Sequence, residues 1–304
     1  MRLTSIVSSL IMTAALVAAS TAISFAAGPP IGEWKAVEEA LGKSGQQQTG
    51  GVFRIALPRT DLKVSVQGIE VQPGFALGSY AAFRKGPHGA MVMGDLVLLD
   101  EEVNPVMSGL FANGLSVTAL HNHLNEMSPH VMYVHFSGPG DPVELARGLR
   151  VALSASGTPF TAAPAAAGKP GPALDQKRIE ATLGRAGTLN NGVLQVAVAR
   201  AERFTEDGAE LVPAMGVATA INFQPTGEGR AAITGDFVLV GTEVNPVARA
   251  LRASGIQVTA IHQHALADRP RLFYMHFWAN DDAVALARGL RAALDQTNRA
   301  KGRS

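Results

Sequence analysis

The amino-acid sequence predicts an α+β protein built from two tandem copies of one unit, each a mostly antiparallel sheet with two or three helices. Three observations lead to this class. Several sequence segments recur at one fixed spacing of 141 residues. Strand-like segments separated by turn residues dominate the start of each copy. The rest of each copy follows the order strand, helix, strand, strand, helix, which favours helices packed on a sheet.

The repeat is the strongest of these observations, because four separate segments share the same spacing. No gap is needed to align the copies from residues 51 and 192 onward, and chance does not explain such agreement. We therefore place the copies at residues 33–153 and 173–297, joined by an Ala-, Pro- and Gly-rich linker at 154–172. The recurring segments are Gly94-Asp95 with Gly235-Asp236, 102–106 with 243–247, 117–119 with 258–260, and 145–150 with 286–291.

Turn and cap residues divide the first copy into elements in chain order. Gly42 and Gly114 are typical of residues that follow a helix, whereas Pro105 is typical of a first helical turn. Asp141 before Pro142 predicts the start of the last helix. The predicted helices are residues 34–41, 104–113 and 143–153, and the predicted strands are residues 52–57, 64–71, 75–83, 91–99, 116–123 and 131–136.

The amino-acid composition excludes several classes of function for this protein. The chain has 304 residues, of which 47% are hydrophobic and 17% charged, and its net charge is +1. This composition is typical of a globular protein, and the absence of a basic stripe argues against a nucleic-acid partner or an electrostatic membrane surface. The chain has no cysteine. Disulfides, thiolate nucleophiles and zinc sites of the cysteine type are therefore excluded.

The N-terminus predicts export. Residues 1–26 read as a signal peptide, with a short positive start at Arg2, an apolar segment at 6–19 and small residues at Ser24 and Ala26. Cleavage near Ala26 would leave a periplasmic or secreted protein without an integral membrane segment, since no later apolar run is long enough to span a bilayer.

Histidines supply the main functional signal. Three of them recur in register in the two copies, together with a tyrosine. Because alternate residues of a strand share a face, the first two histidines should project together, and the third should join them if the two strands form an antiparallel hairpin. The histidines are His121, His123 and His135 in the first copy and His262, His264 and His276 in the second, and the tyrosines are Tyr133 and Tyr274.

Three imidazoles on one face predict a metal site in each copy, suited to zinc or copper. Glu126, in the loop between the strands, could be a fourth ligand or the base that orients a metal-bound water. Glu102 and its repeat Glu243 favour helix capping, although Glu102 or Asp95 could instead reach the histidines from a neighbouring strand end. Hydrogen-bonded structural imidazoles, and a pH-responsive or ligand-contact role, are the alternatives to a metal.

These motifs together resemble the LppY/LpqO family, a domain of unknown function in exported bacterial proteins. The resemblance rests on the windows 118–123 and 132–135 with Pro129, on the strand from Gly94 and on the helix at 145–150. It covers nearly all of the chain after the signal peptide, in two copies. It implies an exported setting and no settled activity.

The leading hypothesis is an exported metal-binding protein of unknown activity, with a three-histidine site in each copy and an unknown small-molecule or envelope ligand as its partner. A metal-dependent hydrolase of a cell-envelope substrate is the first alternative, with Glu126 steering the water. The second alternative is a carbohydrate- or peptide-binding module without a metal, built on Tyr133, Tyr274 and Trp278. Whether the protein is an enzyme stays open at this point.

Overall fold

A computed structural model describes residues 31–86, 89–161 and 173–300. The predicted signal peptide at 1–26 and the larger part of the predicted linker at 154–172 lie outside these residues. Among the described residues, no helix is long and apolar enough to cross a membrane.

The first copy contains a six-stranded sheet of order β1-β2-β5-β6-β9-β7, in which every neighbouring pair is antiparallel. In chain order its elements are α1 (Ile31–Leu41), β1 (Gln46–Gln48), β2 (Val52–Pro58), β3 (Val64–Val66), β4 (Ile69–Val71), α2 (Pro73–Ala76), β5 (Gly78–Gly86), β6 (Gly89–Leu99), α3 (Asp100–Ala112), β7 (Ser116–His121), β8 (Met127–Ser128), β9 (Val131–Gly140) and α4 (Pro142–Leu153).

The second copy has the matching sheet, of order β10-β11-β14-β15-β17-β16 and again antiparallel throughout. The predicted α+β class with two tandem units is confirmed. Its elements are α5 (Gln176–Leu183), β10 (Thr188–Asn190), β11 (Val193–Ala199), β12 (Phe204–Glu206), β13 (Ala209–Leu211), β14 (Ala218–Gly227), β15 (Arg230–Val240), α6 (Val244–Ala253), β16 (Gln257–His262), β17 (Leu272–Asp282) and α7 (Ala283–Leu294).

Each sheet buries one face against its own helices. Along β9, Val134 and Phe136 belong to the core shared with α1, α3 and α4. Tyr133 and His135 alternate with them and so project from the opposite face. The second copy repeats this division, with Met275 and Phe277 packed in the helix-side core. The face that carries the histidines is therefore the one that the helices leave uncovered.

The last helix of the first copy begins as its sequence predicts. The Asp141 carboxylate accepts hydrogen bonds from the backbone N–H groups of Val143 and Glu144, and Pro142 occupies the first turn. The buried side of this helix packs against α1 and α3. The cap therefore stabilises the start of α4, which packs on the face of the sheet opposite the histidines.

Replacing this cap should lower stability modestly. We expect Asp141→Ala to reduce the free energy of unfolding by about 1 kcal/mol, because two N–H groups of the first turn lose their acceptor. Urea denaturation followed by circular dichroism measures the change. Ser154→Ala at the other end of the same helix is the matched control and should change little; equal losses in both variants would contradict the capping role.

Two segments differ from the prediction. Residues 64–71 form a tight hairpin of two short strands, β3 and β4, rather than one strand, because Gln67 and Gly68 adopt positive φ angles and reverse the chain. Residues 75–83 begin with the last residues of the short helix α2, after which β5 starts at Gly78. The 64–77 segment thus forms a compact arm beside the sheet instead of two of its strands.

The gap-free alignment of the copies is also wrong over part of this region. Ser79 and Thr219 have the same role, since their hydroxyls accept hydrogen bonds from the equivalent N–H groups of Val97 and Val238. Their spacing is one residue shorter than the spacing of the surrounding repeat. A register shift between Pro225 and Gly227 in β14 restores the alignment. A bulge has absorbed a one-residue length difference.

Candidate metal centre

The two copies face each other through their uncovered sheet faces and are related by an approximate two-fold axis. Three pairs of hydrogen bonds cross the junction, and in each pair the donor and acceptor positions are exchanged between the copies. The pairs are Arg54 to the Ala214 carbonyl with Gln195 to the Gly74 carbonyl, Arg84 to the Glu210 carbonyl with Gln224 to the Glu70 carbonyl, and the hydroxyl of Thr118 to the His264 carbonyl with that of Thr259 to the His123 carbonyl.

The arm of the first copy and the equivalent segment of the second copy, which includes β12 and β13, each pack on the sheet of the other copy. Val64 and Phe75 share a core with Trp278 of the second sheet, and the Phe75 and Trp278 rings meet edge to face at 6.1 Å between centroids. In the reverse direction, Phe204 shares a core with Met93 of the first sheet. Because both cores contain residues of both copies, the junction is built like the interior of one protein.

All six predicted histidines converge at this junction. Each forms its closest histidine ring contact with a histidine of the other copy: the centroid distances are 3.7 Å for His121–His262, 3.7 Å for His123–His276 and 3.9 Å for His135–His264. The sequence predicted one site in each copy. The structure keeps the first-copy trio as a compact set and brings all six histidines together in one shared cluster, which we call the histidine cluster.

The local fold explains how the first-copy histidines reach this point. Strands β7 and β9 pair as the predicted antiparallel hairpin, with His121 opposite Tyr133 and Ala119 opposite His135. His123 lies two residues beyond His121, where β7 has ended, and its ring stacks on Tyr133 at 3.2 Å between centroids. The hairpin thus presents all three imidazoles on the face that meets the second copy.

Ligand nitrogens lie close enough to share an ion in three combinations. In each, the candidate ligand atoms are all within 4.8 Å of one another. One combination belongs entirely to the first copy, and the other two mix the copies. They are His121 with His123 and His135, His121 with His262 and His276, and His135 with His262 and His264.

Most of these imidazoles have a buried nitrogen without a hydrogen-bond partner. Such orphaned atoms are rare in proteins, because each costs about 1–3 kcal/mol when water is excluded. Two aspartates of the cluster have an orphaned oxygen in the same way. The atoms are Nε2 of His121, His123, His135 and His276, Nδ1 of His262, and Oδ1 of Asp95 and Asp236.

In His121 and His276 the opposite nitrogen contacts a backbone carbonyl. His121 Nδ1 lies 2.9 Å from the Asn122 carbonyl oxygen, and His276 Nδ1 lies 2.7 Å from that of Gly235. Because a carbonyl only accepts, Nδ1 must donate its proton, which leaves a lone pair on Nε2. A backbone carbonyl that fixes the tautomer in this way is the usual partner of a metal-bound histidine.

The two Gly-Asp pairs of the repeat, Gly94-Asp95 and Gly235-Asp236, lie next to the histidines in the sheet. A Cβ atom at Gly235 would lie 1.9 Å from the Ala220 carbonyl oxygen, and one at Gly94 would lie 2.3 Å from that of Tyr80, so only glycine fits. The close approach of these strands places the following aspartates among the histidines. Asp95 is opposite His135 in the sheet, and Asp236 is opposite His276.

The aspartates contact histidines within 4 Å. Asp95 Oδ2 lies 3.5 Å from His123 Nε2, and Asp236 Oδ2 lies 3.1 Å from His264 Nε2. Burial raises the pKa of Asp236 to about 6, and burial together with the charge of Asp236 raises the pKa of Asp95 well above its ordinary value. Each aspartate therefore keeps its proton to a higher pH than an exposed aspartate does, while its oxygens lie beside the histidines.

Burial keeps the histidines neutral. It lowers the pKa of His121 and His276 to about 4 and that of His264 to about 3, and it lowers the pKa of His123, His135 and His262 as well. Neighbouring imidazoles reinforce the effect for most of them, because a second positive charge nearby is unfavourable. At pH 7 all six side chains are in the form that binds a metal ion.

The structure does not bring Glu126 to the cluster. Its side chain is exposed in the turn after His123, and its carboxylate accepts a hydrogen bond from Gln67 at 3.4 Å. Asp95, which the sequence offered as an alternative, and its repeat Asp236 are the acidic groups in contact with histidines. The recurrence of Gly-Asp at equivalent positions was the available signal for Asp236.

Glu102 has the capping role that the sequence favoured. Its carboxylate accepts a hydrogen bond of 2.9 Å from the Leu99 backbone N–H at the start of α3. It also forms a buried ion pair with Arg59. Glu243 repeats both contacts in the second copy, with Val240 and Arg200.

The fold and this junction define a class: a tandem α+β protein whose two units enclose one cluster of histidines. The chain belongs to the family described as Domain of Unknown Function (DUF1259), whose model matches it twice, at residues 35–155 and 177–296. No curated protein matches the chain.

Solved structures with some likeness are microcompartment shell proteins. The trimeric bacterial microcompartment shell protein PduB is 13% identical, with 84% of this chain and 91% of that chain covered and a TM-score of 0.22. EtuB from Clostridium kluyveri is 8% identical, with 83% and 91% covered and a TM-score of 0.20. The double-ringed trimeric shell protein MSM0271 is 10% identical, with 67% and 81% covered and a TM-score of 0.17. Likenesses at these TM-scores say nothing about the function of this chain.

Proposed function

We propose that this protein binds a first-row transition-metal ion, zinc or copper, in the histidine cluster between its two copies. The observation that carries the proposal is the set of five buried imidazole nitrogens without a hydrogen-bond partner, all inside the cluster. A bound ion would satisfy several of them at once. Neutral imidazole is the ligand that zinc, copper and nickel accept most readily from such a set.

The surroundings support a cation rather than a polar ligand. Asp95 and Asp236 are the carboxylates beside the histidines, and each has a buried oxygen with no hydrogen-bond partner. A divalent ion would balance two carboxylate charges in a site that excludes water. No thiolate is available, since the chain has no cysteine.

Binding without turnover is the form of the proposal that the geometry supports. The hydrolase alternative relied on Glu126 to steer a water molecule, and Glu126 is exposed and bound to Gln67. The carbohydrate or peptide alternative relied on Tyr133, Tyr274 and Trp278, and each of these side chains is about 1% exposed. Buried rings offer no platform for a sugar or peptide.

We also propose that the protein is exported and that its finer assignment is the LppY/LpqO family. Support for export comes from the charge, apolar segment and small residues of positions 1–26. The finer assignment rests on the sequence windows around His121 and His135. An envelope ligand would then be the source or destination of the metal.

A titration of the metal-stripped full-length protein tests the proposed function. We expect Zn²⁺ and Cu²⁺ to bind stoichiometrically in isothermal titration calorimetry. The double variant His121→Ala/His262→Ala should weaken binding by more than the roughly 10- to 100-fold typical of losing an orienting residue, because two ligands are removed.

His130→Ala is the matched control, since His130 is exposed and pairs with Asp100 outside the cluster. It should bind as the wild type does. Circular dichroism establishes that both variants are folded. An absence of stoichiometric binding by the wild type, or equal binding by the folded double variant, would refute the metal proposal.

A further inference from the structure

We propose that the histidine cluster binds a single metal ion per chain, which occupies one of three overlapping positions supplied jointly by both copies. This inference rests on the proposed function and specifies the number and location of the ions. It differs from two independent sites, one in each copy, which the sequence repeat alone would predict.

The three combinations of ligands overlap pairwise. The first and second share His121, the second and third share His262, and the third and first share His135. No two of the combinations are therefore disjoint. Filling two of them at once requires one histidine to coordinate two ions.

A neutral imidazole cannot do so, because it has one lone pair available and one N–H group. The N–H of His121 is already used, since its Nδ1 lies 2.9 Å from the Asn122 carbonyl oxygen. A backbone hydrogen bond with Gly94 engages His135 in the same way. At His121 and His135, bridging would require removal of that second proton and loss of the backbone contact. At His262, whose Nε2 lies 3.0 Å from His264 Nε2 and whose Nδ1 has no hydrogen-bond partner in the described part of the chain, bridging would require removal of the single N–H proton. Occupation of one position therefore excludes the other two.

The second copy reinforces this arrangement, because its residues within 173–300 form no compact set without a first-copy histidine. His262 and His264 lie close, with 3.0 Å between their Nε2 atoms, but the combinations that use them include His121 or His135 of the first copy. Two of the three positions thus span the junction. A bound ion would connect the two copies as well as fill the cluster.

The six histidines contribute to different numbers of positions, because three of them belong to two positions and three belong to one. Loss of His121, His135 or His262 removes two positions, whereas loss of His123, His264 or His276 removes one. Removal of both His121 and His135 leaves none, although the second copy keeps all three of its histidines. This variant separates the shared cluster from independent sites.

Native mass spectrometry and calorimetry on the full-length chain count the ions. With Zn²⁺ as the probe, we expect one ion per wild-type chain. Two tightly bound ions would overturn this inference while leaving the proposed metal-binding function intact. No bound ion would refute the proposed function itself.

Variants give a second readout. We expect His123→Ala to retain one ion and folded His121→Ala/His135→Ala to bind none. Independent sites would also leave one ion in His123→Ala, but they would leave one ion in folded His121→Ala/His135→Ala as well, in the unaltered second copy. That result for the double variant would overturn the inference. If His121→Ala/His135→Ala does not fold, His121→Asn/His135→Asn replaces it, and the wild-type count decides the question without either variant.

Discussion

Arg59→Met should lower the free energy of unfolding by about 3–5 kcal/mol, because it leaves a buried carboxylate without its cation. The Arg59 guanidinium is fully buried, and its Nη1 lies 2.5 Å from Glu102 Oε2 and 2.9 Å from the Val97 carbonyl oxygen. Asp61 completes the set of charged partners. Urea denaturation followed by circular dichroism measures the loss.

Arg147→Met is the matched control, since Arg147 also pairs with a glutamate, Glu144, but both side chains are exposed. Its transition midpoint should match that of the wild type. Similar midpoints for the two variants would show that the buried pair has no special role in stability. Arg200 in the second copy forms the equivalent pair with Glu243, so Arg200→Met should repeat the effect of Arg59→Met.

The metal-free protein should lose stability steeply as the pH falls from about 6.5 toward 4. The pKa of His121 and of His276 is about 4 in the folded protein and 6.5 ordinarily, so the unfolded chain binds more protons in this interval. Stability then rises with pH, by about 1.4 kcal/mol per pH unit for each proton that the unfolded chain holds in excess.

The aspartates act in the opposite direction. The pKa of Asp236 is raised from 3.8 to about 6, so between these values the folded protein holds the extra proton and stability falls as the pH rises. Six histidines outnumber the two aspartates, and the net dependence should follow the histidines.

Urea titrations between pH 4.5 and 7.5, with a chelator present, measure the slope. We expect His121→Ala to reduce this slope, because it removes one of the groups whose pKa is lowered in the folded protein. A stability that is flat or decreasing over this interval would contradict the neutral, buried state of the cluster.

Much of the single copy could be predicted from local patterns. Alternation and turn residues predicted the hairpin that pairs His121 with Tyr133, and Asp141 predicted the start of α4. These features depend on residues near one another in the sequence. Residues 64–71 were predicted less well, because a run of β-favouring residues does not distinguish one strand from a tight hairpin when a Gln-Gly turn divides it.

The shared cluster could not be predicted in the same way. A repeat indicates that the copies resemble each other, but it does not indicate which faces meet. The structure brings His121, His123 and His135 together as predicted, whereas the second-copy histidines form compact sets only with His121 or His135, and those sets depend on the docking of the sheets. That docking is fixed by contacts between residues far apart in the sequence, such as Phe75 with Trp278.

Because the two copies belong to one chain, the surfaces that face each other can differ in sequence. In a symmetric homodimer every residue beside Asp95 would have to appear beside Asp236 as well. Here Arg54 lies 3.4 Å over the ring of Tyr80, which is opposite Asp95 in the sheet, whereas Gln195 and Ala220 occupy the equivalent places near Asp236. The positive charge of Arg54 opposes the rise in the pKa of Asp95 alone. The duplicated chain thus surrounds equivalent aspartates of one cluster with different charges.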